Sequence, residues 1–245
     1  MAGALPAEGP SRPGGATASP TAALWGVLGA LTLATGLIDA LSYLGLGHVF
    51  VANMTGNIVF MGFALAGAKG FSFAASLVAL GAFLVGAAAG GRMSATWADT
   101  RRWWLASASA AQTGLALVAA ALTATGVLGP GGNDRYGLIA LLAAGTGVQN
   151  ATVRKLSIQD VTTTVLTLTL TGLAADSTPA GGSNPRAVRR LTAVGAMLGG
   201  AVIGAALVTH QGFTTTLWAT TGMLGAITLG FAFLPGIALR HHRVS

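Results

Sequence analysis

The sequence contains no cysteine among its 245 residues, and only 8% of its residues carry a charge. The missing cysteine excludes disulfides, thiolate metal sites and thiol chemistry. The low charge excludes an ordinary soluble domain, in which about 25% of residues are charged. Hydrophobic residues make up 53% of the chain and the mean hydropathy is +0.70. This composition indicates an integral membrane protein, with the lipid bilayer as its principal partner.

Basic residues outnumber acidic ones and give a formal net charge of +7. In a polar protein such a charge would suggest nucleic acid as a partner. Here nearly all Lys and Arg residues lie between apolar segments, where retention of basic loops in the cytoplasm is the ordinary explanation. The charge therefore argues against nucleic-acid binding and gives a means of testing topology.

The chain divides into two tails and one transmembrane domain. Residues 1–21 are rich in Pro, Gly and Ala and predict a disordered cytoplasmic tail, and residues 240–245 form a basic cytoplasmic tail. Residues 22–239 form a single transmembrane domain. Its apolar segments cover residues 23–46, 50–67, 71–91, 104–128, 136–153, 161–175, 191–209 and 215–234.

Two of these segments, residues 50–67 and 161–175, are doubtful crossings, because a helix needs about 20 apolar residues to span the bilayer. If all eight crossed, several arginines would face outwards, against the positive-inside rule. If the two doubtful segments enter and leave on one side, only Lys69 and Arg135 face outwards. We therefore predict an all-α polytopic protein of the bacterial inner membrane. It has about six transmembrane helices, two broken or re-entrant segments and both termini in the cytoplasm.

The sixth segment contains TTTVLTLTLTG, in which leucine and threonine alternate from residue 166 to residue 171. Alternation with period two is typical of an extended strand. Threonine hydroxyls can instead bond the carbonyls of their own helix, which is common in membranes. Both interpretations remain open at this point.

A short internal match suggests that the chain is duplicated. TGLIDA at residues 35–40 and TGVQNA at residues 146–151 agree in three of six positions, displaced by 111 residues. The same displacement maps the third segment onto the seventh and the fourth onto the eighth. We predict repeat halves at about 22–128 and 136–239. Because each half would cross three times, the halves would be inverted, as in many transporters.

Asp39 is the acidic residue that lies well inside the first apolar segment. A carboxylate there costs a few kcal/mol, so it should face the protein interior or a water-filled path. The alternative is a buried hydrogen bond between helices that only fixes their packing. Together with the second and sixth segments, this residue suggests a polar pathway for substrate or protons. The candidate residues are Thr35, Asp39, Tyr43, Asn53, Thr55, Asn57, Gln149, Asn150 and Thr167.

The sequence gives no support for catalysis. It lacks a nucleophilic cysteine, a His-Glu metal motif and a phosphate-binding Gly-Lys-Ser loop. We therefore predict that the protein is not an enzyme. We also predict that it has no catalytic residue, no cofactor and no bound metal.

The stretches GLIDALSYLGLGHVFVANMTGNIVFMGFALAG, GVQNATVRKL and TTTVLTLTLT resemble the YoaK-like family of bacterial membrane proteins, a domain-of-unknown-function family. The resemblance implies a polytopic inner-membrane protein with about six helices, but no substrate. We expect a secondary transporter or permease for a small solute, with the proton as a candidate coupling ion. The alternative is a non-transporting scaffold, sensor or partner subunit, and a homo-oligomer is compatible with either.

Overall fold

The computed structural model describes residues 22–96, 101–155, 166–184 and 186–233. These residues form helices joined by short loops, so the predicted all-α class is confirmed. Both predicted tails and residues 161–165 of the threonine-rich segment lie outside the described residues. The helices are α1 (Ala22–Gly45), α2 (Met54–Leu65), α3 (Phe73–Thr96), α4 (Arg101–Ala124), α5 (Arg135–Lys155), α6 (Leu166–Ala175), α7 (Ala187–Gln211) and α8 (Phe213–Phe233), with a 3₁₀ turn at Thr178–Ala180.

Six of the helices are long and two are short. Helices α1, α3, α4, α7 and α8 are both long and apolar enough to cross a membrane. Helix α5 has 21 residues but is less apolar, and about half of it is buried among its neighbours, where polar side chains cost less than in lipid. Helices α2 and α6 have 12 and 10 residues, a rise of about 18 and 15 Å. They are too short for a hydrocarbon core of about 30 Å.

The helix ends define two ends of the bundle. At one of them, which we call the basic end, α1 and α7 begin side by side, with the Arg189 guanidinium 3.7 Å from the centre of the Trp25 ring. At the opposite end α1 terminates beside the first residues of α8 and α5, where Gly45 faces Phe213 and Gly47 faces Arg135. Helices α1 and α5 therefore run in opposite directions.

The segment between α1 and α3 returns to the end of the bundle from which it starts. His48 Nδ1, before α2, lies 2.9 Å from the carbonyl oxygen of Gly70, after α2. The intervening chain reaches the level of Asp39 and α2 brings it back, so this segment is re-entrant. Residues 156–165 lie outside the described part. The end of α6 lies close to the start of α7, because Asp176, which follows α6, pairs with Arg190.

Close backbone contacts join α1 to α7 and α3 to α5 at glycines. A Cβ added at Gly90 would lie 2.8 Å from the Val148 carbonyl oxygen, and one at Gly204 would lie 2.8 Å from that of Leu37. These two contacts correspond if α1 maps onto α5 with a displacement of 111 and α3 maps onto α7 with a displacement of 114. The predicted displacement of 111 is therefore wrong for α3 and α7. The same mapping relates Gly86 facing Ala144 to Gly200 facing Leu33, and Gly147 facing Phe83 to Gly36 facing Met197.

The strand interpretation of the threonine-rich segment is wrong for residues 166–175, which form α6. The Thr171 hydroxyl donates to the Thr167 carbonyl oxygen at 2.9 Å, as the helical alternative requires. Leu168 and Leu170 are exposed, whereas Thr169 is buried. A helix satisfies its own backbone in lipid, which an isolated strand cannot do, and this explains why period two is misleading here.

Candidate functional site

Asp39 is buried, with 4% of its surface exposed, and its carboxylate binds the backbone of residues 49–53, which we call the re-entrant loop. The Ala52 N–H donates to Oδ1 at 2.9 Å, and the neighbouring backbone of Val51 and Asn53 lies close to the same carboxylate. Ala52 precedes α2, so no carbonyl of that helix accepts its N–H. Asp39 therefore supplies, from α1, an acceptor for the loop that leads into α2.

Asn57, at the start of α2, has a structural role in holding the re-entrant loop. Its side chain is completely buried and makes two bonds to the same residue of the re-entrant loop. Nδ2 donates to the Phe50 carbonyl oxygen at 2.6 Å, and Oδ1 accepts from the Phe50 N–H at 2.9 Å. Hydrocarbon offers no such partners, so Asn57 satisfies extended backbone at membrane depth.

A third contact comes from α5. The Thr146 hydroxyl donates to the Val51 carbonyl oxygen, while Asp39 on α1 accepts the N–H of the next residue, Ala52. The re-entrant loop is thus bonded to α1, α2 and α5.

We expect Asn57→Ala to lower the free energy of unfolding by about 2–4 kcal/mol, because a buried N–H and a buried C=O of Phe50 each lose their partner at about 1–3 kcal/mol. Asn53→Ala is the matched control, since Asn53 is exposed and makes no side-chain cap; it should change stability by less than about 0.5 kcal/mol. Thermal unfolding in detergent measures both. Equal effects of the two substitutions would contradict this role for Asn57.

Several predicted pathway residues lie away from the buried polar groups. The Tyr43 ring stacks on Phe50 at 5.1 Å between centroids and belongs to an aromatic cluster over the re-entrant loop. Asn53, Thr55 and Thr167 are exposed. The structure therefore does not bring these four side chains into one interior pocket with Asp39.

Thr35 on α1 and Gln149 on α5 contact each other. Gln149 Nε2 lies 3.5 Å from Thr35 Oγ1, and the Thr35 hydroxyl donates to the Leu31 carbonyl oxygen at 2.9 Å. Asn150, which matches Asp39 in the predicted repeat, donates to the Thr146 carbonyl oxygen at 2.9 Å. Thr35 and Gln149 thus form a polar contact between α1 and α5.

The structure adds Gln112, which sequence reasoning missed. Gln112 on α4 is 2% exposed, and neither atom of its amide has a hydrogen-bond partner within the described part of the chain. It lines a cavity of about 10 Å³ together with Ser109, Gln149 and Thr152, about the space of one water molecule. A lone amide in the apolar run from Leu105 to Ala120 was the sequence signal that could have identified it.

Hydroxyl groups extend this polar centre between α4 and α8. Thr228 Oγ1 lies 2.9 Å from Ser109 Oγ and 2.9 Å from Thr113 Oγ1. No cluster of three or more His, Asp or Glu side chains that could hold a metal occurs in the described residues. The arrangement supplies neutral hydrogen-bonding groups between α4 and α8.

Comparison with known proteins agrees with the membrane architecture. The family described as "Protein of unknown function (DUF1275)" matches residues 27–230. The "UPF0700 transmembrane protein YoaK" of Bacillus subtilis (strain 168) is 36% identical over 152 residues, which is 61% of this chain and 65% of that protein. The match thus spans just under two thirds of the relative's length. No solved structure matches. This chain therefore belongs to the DUF1275 family of membrane proteins.

Proposed function

We propose that this protein is a secondary transporter or permease for a small polar solute, in the cytoplasmic membrane of a bacterium. The observation that carries the proposal is the Gln112 amide, which is buried without a protein partner beside Gln149. Leaving such an amide unbonded costs about 1–3 kcal/mol. A group retained at this cost fits a binding role for a solute that passes through the centre.

The arrangement of the helices supports movement around that centre. The glycine contacts bind α1 to α7 and α3 to α5, so each pair combines one helix from each half. The matched contacts and the opposed directions of α1 and α5 support an inverted duplication of the chain. Rocking of one helix pair against the other would open the narrow cavity alternately to the two sides, as in transporters built from inverted repeats.

Charge distribution supports the orientation. Arg92 is near the end of α3, Arg154 and Lys155 end α5, and Arg189 is near the start of α7, all at the basic end. Lys69 and Arg135 lie at the opposite end, near His48 and Gly47. The positive-inside rule favours a cytoplasmic basic end.

Asp39 offers a route for proton coupling within this proposal. Its carboxylate accepts the Ala52 N–H of the re-entrant loop, and a protonated carboxyl group accepts such a bond less well. Protonation would loosen the loop that both halves bind. Proton binding and movement of the halves would then be linked reciprocally.

A packing role is the second candidate, and the bonds of Asp39 and Asn57 favour it specifically. Both side chains bond to the backbone of the re-entrant loop, so neither needs a solute to explain its burial. In a scaffold, sensor or partner subunit these bonds would stabilise the fold and nothing would cross the membrane. Gln112 distinguishes the two candidates, because solute flux should depend on its amide only if a solute passes through the centre of the bundle.

Gln112→Met is expected to abolish solute flux while leaving stability unchanged or raising it by about 1–3 kcal/mol, because a thioether of similar length carries no amide that needs a partner. The measurement is uptake of a mixed panel of isotope-labelled sugars, amino acids and other small polar solutes into proteoliposomes, read by mass spectrometry. Thermal unfolding of the same preparations checks the fold.

Gln211→Met provides the matched control, since Gln211 is an exposed glutamine at the end of α7 and its replacement should leave flux intact. If the native protein moves no solute above empty liposomes, the transporter proposal fails and the packing role stands. Flux that persists in Gln112→Met would remove Gln112 from the pathway.

A further inference from the structure

A second cavity lies at the basic end, between the first turns of α1 and α7. It has a volume of about 430 Å³, within the range of about 300–1,000 Å³ that is common for small-ligand sites. Helix α1 contributes Trp25, Gly29 and Thr32, and the chain around the start of α7 contributes Asn184, Arg186 and Arg189 among others. The polar centre at Gln112 shares none of these residues.

Two arginines line the cavity. Arg186 and Arg189 both contribute to it, and the neighbouring Arg190 is buried and pairs with Asp176 at 2.7 Å. Helix α7 begins here without a side-chain cap, and the positive end of its dipole favours an anion.

Arg189 is held in one orientation. Its guanidinium lies over the Trp25 ring at 3.7 Å, a cation–π contact that fixes the plane of the group. The N–H groups of a guanidinium lie in that plane and form a fork that matches the oxygens of a phosphate. Stacking on Trp25 therefore leaves the edge of Arg189 suited to an anion.

Asn184 adds a polar group without a partner. Its backbone is left-handed, with a φ of 46°, and its side chain lines the cavity. The Oδ1 atom is buried and has no hydrogen-bond partner within the described residues. The Asn184 Nδ2 is the donor of the amide and is suited to an anionic ligand in the cavity.

The rim of the cavity is apolar. Val188, which also lines it, is 80% exposed, and Leu191 one turn further along α7 is 55% exposed. Helix α7 is long and apolar enough to cross the membrane, and little of it is buried by protein. Such a rim offers no hydrogen bond to a free phosphate, whereas an acyl chain can pack against it.

We propose that this cavity binds the phosphate of an anionic phospholipid, with Arg189, Arg186 and Asn184 around the headgroup and the acyl chains along Val188 and Leu191. Basic pockets between transmembrane helices are suited to such headgroups. The site does not depend on transport.

Binding of fluorescently labelled phosphatidylglycerol to the purified full-length protein in detergent tests the proposal, with labelled phosphatidylcholine as the zwitterionic comparison. We expect phosphatidylglycerol to bind about tenfold or more tightly, and Arg189→Gln to weaken it by about tenfold or more, as expected for the loss of a charge-assisted hydrogen bond. Arg186→Gln is a second variant at the site. Arg154→Gln changes an exposed cation at the same end and should leave binding unchanged.

Inorganic phosphate as a competitor separates the two sources of the ligand. If a much higher concentration of phosphate than of unlabelled phosphatidylglycerol is needed to displace the labelled lipid, the result supports a phospholipid as the ligand. Phosphate that competes as well as the lipid would overturn the lipid assignment. Equal binding of the two lipids by the native protein, or unchanged binding in both Arg189→Gln and Arg186→Gln, would overturn the site itself.

Discussion

Gly86→Ala is expected to lower the free energy of unfolding by about 1–3 kcal/mol or more, the usual cost of forcing extra atoms into a packed interior. The added Cβ would overlap the Ala144 carbonyl group and lie 2.9 Å from the Ala144 Cα. These are backbone atoms of α5, so no side-chain rotation can relieve the overlap. Helices α3 and α5 would have to separate, and unfolding in detergent measures the loss.

The control for Gly86 lies on the same helix. A Cβ at Gly81 would have no atom within 4 Å among its neighbours, so Gly81→Ala should be neutral or stabilise by up to about 1 kcal/mol through helix propensity. The corresponding pair on α7 is Gly200, which faces Leu33, and Gly195, which has no atom within 4 Å of an added Cβ. Similar losses at Gly86 and Gly200 are what the matched contacts predict. If Gly81→Ala and Gly86→Ala destabilise equally, helix contact is not the cause.

Asp39→Ala is expected to lower the free energy of unfolding by about 1.5–3 kcal/mol, the usual contribution of a hydrogen bond to a charged group. The substitution leaves the Ala52 N–H without its side-chain acceptor. Asp39→Asn keeps one acceptor oxygen and should lose less. Hydrogen exchange of residues 49–53 gives the local measurement, and it should accelerate most in the alanine variant.

Asp134→Ala serves as the control for Asp39, since Asp134 is exposed in the loop before α5 and its replacement should change stability by less than about 0.5 kcal/mol. Unchanged exchange of the re-entrant loop in Asp39→Ala would show that the carboxylate does not hold it. The result is independent of the flux experiment. A stable Asp39→Asn variant that lost only proton-driven flux would support the coupling route through the same bonds.

The sequence was informative about the helices because lipid imposes simple rules on apolar length and basic loops. Residues 50–67 were a doubtful crossing because of their length, and the structure places a short helix there between His48 and Gly70. Periodicity failed at residues 166–171, since leucine and threonine can alternate in a helix whose hydroxyls bond its own carbonyls. The glycine contacts of α3 and α7 match at a displacement of 114 and not at the predicted 111, because a displacement read from one short motif does not fix the register of other helices.

Hydropathy and charge by themselves determined that this chain is a membrane protein with six long apolar segments, two short ones and a basic end, because these properties depend on local composition. Only the tertiary structure decided that Asp39 binds Ala52, that Thr146 binds Val51 and that Gln112 is buried without a partner. Such contacts join residues distant in the chain, and one sequence does not contain their geometry. The physical reason is that backbone groups in a re-entrant loop must find partners wherever the packed helices supply them.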